Sequence, residues 1–125
     1  MAGELVPLVL LPRYTTYAGL LSGEWFTTIA MDVTQYSSAI VNVWRGLIVG
    51  SATPSFKVWF QESTDQVSWF ACAGSNSSGD AVNPNAETQF TLTITKRWFR
   101  IKVQLGGADN VVSCWAVGFL EERLR

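Results

Sequence analysis

Histidine is absent from the 125 residues, and cysteine and methionine occur only twice each. The first absence removes the commonest general base together with the commonest metal ligand. A serine or cysteine triad would therefore need another base. Cys72 and Cys114 lie far apart in the chain and form no CxxC pair, so their spacing excludes a zinc knuckle. Each sits in an apolar, strand-like stretch, where free cysteine acts as a small hydrophobe. Two buried thiols are the first expectation, and a disulfide is the alternative.

Charge is also scarce. Only 15% of residues are charged, the net charge is −1, and the basic groups are spread along the chain. Such a balance gives no electrostatic reason to expect a nucleic-acid backbone or an anionic membrane as partner. No apolar run approaches the ~20 residues of a spanning helix. Residues 5–11 are apolar, but Glu4 precedes them, no basic group stands before them, and Pro7 and Pro12 interrupt them, which makes a poor signal peptide. The expectation is a soluble chain made in the cytoplasm.

Catalytic and cofactor signatures are missing as well. No Gly-rich phosphate cradle occurs. Asp32, Asp65, Asp80 and Asp109 fall in or beside different turns, without the dense alternating oxygen ligands of a calcium loop. A single calcium at one rim is the alternative left open. Glu24, Glu62, Glu87, Glu121 and Glu122 lie near strand ends or tails and read as solvated rim charge, not as an acid and base pair. No enzyme, cofactor or metal is expected.

What the chain does contain is apolar and aromatic side chains, 48% and 13% of its residues. That is the composition of a packed domain. The length fits one domain over residues 1–125, able to withdraw roughly two-thirds of its unfolded surface from water. The period is two nearly everywhere. Residues 90–95 alternate Phe, Leu and Ile with threonine, and residues 98–105 place Phe99, Ile101, Val103 and Leu105 opposite Arg100, Lys102 and Gln104, so both read as strands. Only Lys96 and Arg97 separate them, which predicts a tight hairpin of undefined turn type. Residues 56–61 and 67–72, joined by a short polar loop, predict a second hairpin. Residues 5–11, 25–33 and 39–49 add strands, and residues 111–120, apolar at both parities, read as a central or doubly covered strand. Nothing longer than a turn has the period of an amphipathic helix. The fold class expected is an all-β antiparallel β-sandwich, jelly-roll-like, with about eight strands.

Residues 73–86, rich in Gly, Ser and Asn, predict a long mobile excursion on one rim. Residues 50–54 and 106–110 resemble each other, a likeness that the recurring strand, turn, strand grammar of antiparallel sheets accounts for. The same parity argument turns three tryptophans outward: Trp98 with Arg100 and Lys102, Trp59 with Lys57 and Gln61, and Trp44 beside Asn42. Loops that cover them, an interface between subunits, and a sugar-stacking platform are three ways to account for them. Trp69 and Trp115 have the parity of core residues, and Trp25 is undecided.

Residues 50–58 (GSATPSFKV), 61–70 (QESTDQVSWF), 97–103 (RWFRIKV) and 105–107 (LGG), followed by a closing hydrophobic strand, resemble a group of small β-sandwich virion proteins of tailed bacteriophages. The likeness covers roughly residues 39–121. It implies a capsid decoration or head-associated role, with related sandwiches in tails and fibres, and it carries over no catalytic residue. Asp109 and Asn110 depart from the Ser-Pro of that group, and residues 73–85 form a longer loop. The expected protein is then a non-enzymatic virion component, assembled in the host cytoplasm, homo-oligomeric, with the major capsid protein or other virion proteins as partners and neither nucleic acid nor membrane. Trp44, Trp59, Trp98, Arg100 and Lys102 are the interface or ligand-stacking candidates. Leu5, Val6, Leu8, Val9 and Leu10, in an N-terminal arm over residues 1–21, are candidate arm contacts, as are residues 121–125. On that view, removing residues 1–12 leaves a folded domain and abolishes assembly. A carbohydrate-binding module is the alternative.

Overall fold

The computed structural model describes residues 4–20, 25–49, 55–106 and 110–123. Its elements are all strands: β1 (Leu5–Leu20), β2 (Trp25–Thr27), β3 (Met31–Asp32), β4 (Tyr36–Arg45), β5 (Ser55–Ser63), β6 (Phe70–Ala71), β7 (Asp80–Ala81), β8 (Glu87–Thr93), β9 (Trp98–Gly106) and β10 (Asn110–Glu122). The first sheet has the order β1-β10-β4-β8 and the second β2-β9-β5-β6, with β3 also on β9 and β7 also on β5. Every named pair is antiparallel. Because β2 and β3 share one flank and β6 and β7 another, the described residues fill eight strand positions, ordered 1-8-3-6 and 2-7-4-5. That is the double-sheet jelly roll, and the fold class read from the sequence holds.

The core forms where the inward parity of both sheets meets. Phe56, Val58, Phe60, Phe99, Ile101, Val103 and Leu105 line the second sheet's inner face; Val41, Val43, Phe90, Leu92, Cys114 and Ala116 line the first. Phe60 packs between Phe90, at 5.0 Å between ring centroids, and Phe99, at 6.2 Å, bridging the two layers. β10 is central, as its double apolar parity predicts. Gly118 is glycine because a Cβ there would strike the Ile40 carbonyl on β4.

Three expectations need correction. β8 and β9 form no hairpin, since they lie in different sheets and residues 94–97 cross between the layers. A jelly roll alternates sheets at most connections, and that crossing explains the missing Gly or Asn. The β5–β6 hairpin does form, pairing Gln61 with Ala71, but its second strand has only two residues. The described part of the expected arm, residues 4–20, lies in the first sheet: β1 pairs along β10 from Leu5↔Glu121 to Leu20↔Asn110 and buries Leu8, Leu10 and Leu11 in the core. A register shift between Val9 and Leu11 lets two successive leucines point inward. The loop over residues 73–86 is likewise tied down, with Thr93 N–H donating to the Ala73 carbonyl (3.0 Å), Arg45 Nε donating to the Val82 carbonyl (2.7 Å) and Asn85 N–H donating to the Arg45 carbonyl (2.8 Å).

Candidate functional site

With both inner faces packed, what the molecule offers a partner is its two outer faces. On the second sheet, the outward parity of β9 and β5 lines up Trp98, Arg100 and Lys102 with Lys57, Trp59 and Gln61. Four of the five interface candidates therefore share one surface. Lys102 Nζ stands 4.6 Å from the ring centroids of both Trp25 and Trp59, a cation held between two indoles. Arg100 lies 4.0 Å over Trp69 and donates from Nε to Gln61 Oε1 at 2.9 Å, and Arg97 covers Trp98 at 5.0 Å. Each aromatic ring fixes a cation that would otherwise sample many rotamers, so this face is ordered before it meets anything.

Part of that face is covered from within. Trp59 Nε1 donates to the Ser77 carbonyl at 3.1 Å, and a Cβ on Gly79 would lie 2.6 Å from the Trp59 ring. Gly79 (φ +91) lets the chain turn directly over the indole. The Gly/Ser/Asn-rich loop is thus a cap on Trp59 closed by its own hydrogen bonds, Asn76 N–H donating to Asp80 Oδ2 and Ser78 N–H to Asn76 Oδ1, both 3.0 Å.

Trp44 lies on the opposite side of the molecule. It pairs across strands with Trp115, the rings stacked at 4.4 Å, and Arg13 covers Trp115 at 4.8 Å. Trp115 therefore faces outward, against the expectation of a core residue; Val112, Cys114, Ala116 and Leu120 take the inner parity instead. Trp69 is also not core, because residues 64–69 are a turn in which parity has no meaning: its Nε1 donates to the Gln66 carbonyl at 3.3 Å. Beside the Trp44–Trp115 stack, Pro7, Val9, Pro12, Arg13, Val117 and Phe119 line an open groove of about 580 Å³. Val9 and Phe119 are about half exposed there, at 59% and 47%, and Leu5, outside the groove lining, is 54% exposed. Of the arm candidates, Leu5 and Val9 stay on the surface, Val6 is half-buried, and Leu8 and Leu10 are interior.

Several titratable groups hold the structure together. Glu62 is buried, not a rim charge: its Oε1 accepts from Thr95 N–H (2.8 Å) and Lys96 N–H (3.2 Å), and its Oε2 accepts from Thr95 Oγ1 (3.0 Å). This carboxylate holds the β8–β9 crossing. Hydrogen bonds from Thr34 hold Asp32 below its ordinary value, helped by Arg97 at 3.1 Å, and backbone N–H groups of Ser68 and Val67 do the same for Asp65. Cys72 and Cys114 are free, buried thiols, both pushed up to about 12 by desolvation. Thiols of that pKa are poor nucleophiles at neutral pH. Among the described residues no group of three or more Asp, Glu or Cys is placed to hold a metal ion. Asp109 lies outside the described residues. The arrangement suits recognition by shape and charge.

No protein-family model matches the sequence, and no curated protein does. Among solved structures the chain is similar to a chain in the structure of infectious bursal disease virus, Gx strain, with TM-score 0.59, 10% identity and coverage of 95% of this chain and 32% of the other. A chain in the structure of the Gt strain of that virus aligns over 98% of this chain and 36% of its own length, with TM-score 0.47 and 7% identity. This chain spans about a third of the length of the viral chains, and its likeness to the Gx-strain chain is one of fold.

Proposed function

We propose that this chain is a structural component of a virus particle, a jelly-roll unit that works by packing its outer faces against neighbouring protein. The observation that carries the reading is the combination of that strand order with two outer faces that bear tryptophan, valine and phenylalanine where an isolated sandwich would carry polar residues. The fold-level likeness to a chain of infectious bursal disease virus supports it. The narrower assignment, a decoration or head-associated protein of a tailed bacteriophage with the major capsid protein as partner, rests on the sequence resemblance. Function of this kind needs no catalytic group.

Mass spectrometry and immunogold labelling of purified particles from the virus that encodes the chain test the proposal. Many copies per particle, at repeating surface positions, are expected. A chain abundant in the lysate and missing from the particles would sink it. The carbohydrate-binding alternative requires open ring faces, whereas Trp44, Trp59 and Trp98 each have a partner within the chain, namely Trp115, the Ser77–Gly79 turn and Arg97. No observation favours it.

A further inference from the structure

The two outer faces carry opposite charge. On the outward positions of β2, β5 and β9 stand Lys57, Arg100 and Lys102 and no carboxylate; Asp32, on neighbouring β3, is paired with Arg97. On the outward positions of β4, β8 and β10 stand Glu87 and Glu121 and no Lys or Arg. Arg13, on β1, is held over Trp115 and is the charged residue that lines the groove of that face, leaving Glu87 and Glu121 in excess over it. The shapes differ in a matching sense. The acidic face has the groove between Val9 and Phe119, and the basic face projects Trp25, which remains 52% exposed beside Lys102.

We propose that the acidic, grooved face of the first sheet receives the basic, tryptophan-bearing face of the second sheet of another copy of this chain, so that copies join front to back. This rests on the virion reading above and names one neighbour of the particle subunit. Charge selects the arrangement: two basic faces would oppose Lys57, Arg100 and Lys102 to themselves, and two acidic faces would oppose Glu87 and Glu121 to themselves, while front-to-back contact opposes unlike charge. Such an interface is heterologous. It builds a ring if its rotation closes and a filament if it does not.

Lys57 and Glu87 are exposed, so reversing either leaves the core untouched. Sedimentation velocity of the purified full chain over a concentration series is expected to show self-association, weakened about tenfold or more by Lys57→Glu and equally by Glu87→Lys. The decisive sample mixes the two variants. Lys57→Glu keeps an intact acidic face and Glu87→Lys an intact basic face, so mixing them is expected to restore the association that each variant alone has lost. Circular dichroism and the melting temperature of each variant establish that it is folded. A wild-type chain that stays monomeric at ~1 mM overturns the proposal, and so does association that Glu87→Lys alters while Lys57→Glu leaves unchanged, the mark of an acidic-face pair. Either result leaves the particle-labelling test of the virion reading standing.

Discussion

A carboxyl group removed from water needs hydrogen-bond donors to replace the lost hydration, and Glu62, 5% exposed, has three of them. Glu62→Ala leaves the Thr95 and Lys96 N–H groups without their acceptor in a half-buried crossing and is expected to cost about 2–4 kcal/mol. Glu62→Gln, which keeps one acceptor oxygen, should cost less. Urea unfolding followed by tryptophan fluorescence gives both numbers, and an alanine variant within about 0.5 kcal/mol of wild type would refute the role. Parity along β5 marks this residue as inward, in step with Phe56, Val58 and Phe60; only its acidity disguised it in the sequence as rim charge. Gly79 is a second residue-scale test. Its positive φ and the indole above it leave no room for a methyl group, so Gly79→Ala is expected to destabilise by about 1–3 kcal/mol and to shift the Trp59 emission to longer wavelength. Unchanged emission would mean that the loop does not rest on the ring. At Trp115, whose indole N–H is buried without a hydrogen-bond partner, phenylalanine removes the orphaned donor and keeps an aromatic stack on Trp44, and a change within about 1 kcal/mol is expected.

At the scale of elements, β1 is the strand whose role the sequence hid. Its leucines, two prolines and position near the start of the chain fit a detachable arm equally well, since periodicity reports which residues turn inward together and not which strand they pair with. The pairing with β10 decides the matter. Leu8→Ala, at a site only 2% exposed, is expected to cost about 2–5 kcal/mol, and removal of residues 1–12 takes three core leucines with it. The truncated chain is therefore expected to lose cooperative unfolding altogether; a sharp transition near that of wild type would restore the arm reading. The β8–β9 connection teaches the same lesson. Alternation over residues 90–95 and 98–105 made both strands legible, although β8 itself runs over Glu87–Thr93, but a crossing between layers and a hairpin look alike in sequence when the linking segment is short. The outward set Trp59, Trp98, Arg100 and Lys102 was legible because those strands are long and regular. Trp69 was not, because its segment is a turn, and Trp115 was not, because β10 is apolar on both faces and alternation there does not say which face is inward.

For the whole molecule, the groups that titrate between folded and unfolded states set where stability changes with pH. Asp32 and Asp65 are held below their ordinary value of 3.8, so their contribution is present above that pH and is lost as the pH falls through their folded values. Cys72 and Cys114 shift the other way, from 9.0 to about 12, because burial penalises the thiolate. Below pH 9.0 both states hold these protons and nothing is lost; as the pH rises from 9.0 toward 12 the unfolded chain releases protons that the folded chain keeps, and stability drains away. Between these windows the chain has no histidine to titrate. The melting temperature is therefore expected to vary by no more than ~2 °C between about pH 5.5 and 8 and to fall progressively above 9. Replacing both cysteines by alanine should lower the whole curve through lost packing and flatten its alkaline limb. Thiol titration with a disulfide reagent gives the independent check: both cysteines should react only as the protein unfolds. Rapid reaction of the native chain at pH 8, or an alkaline limb unmoved by the double substitution, would show that other groups set the upper edge of stability.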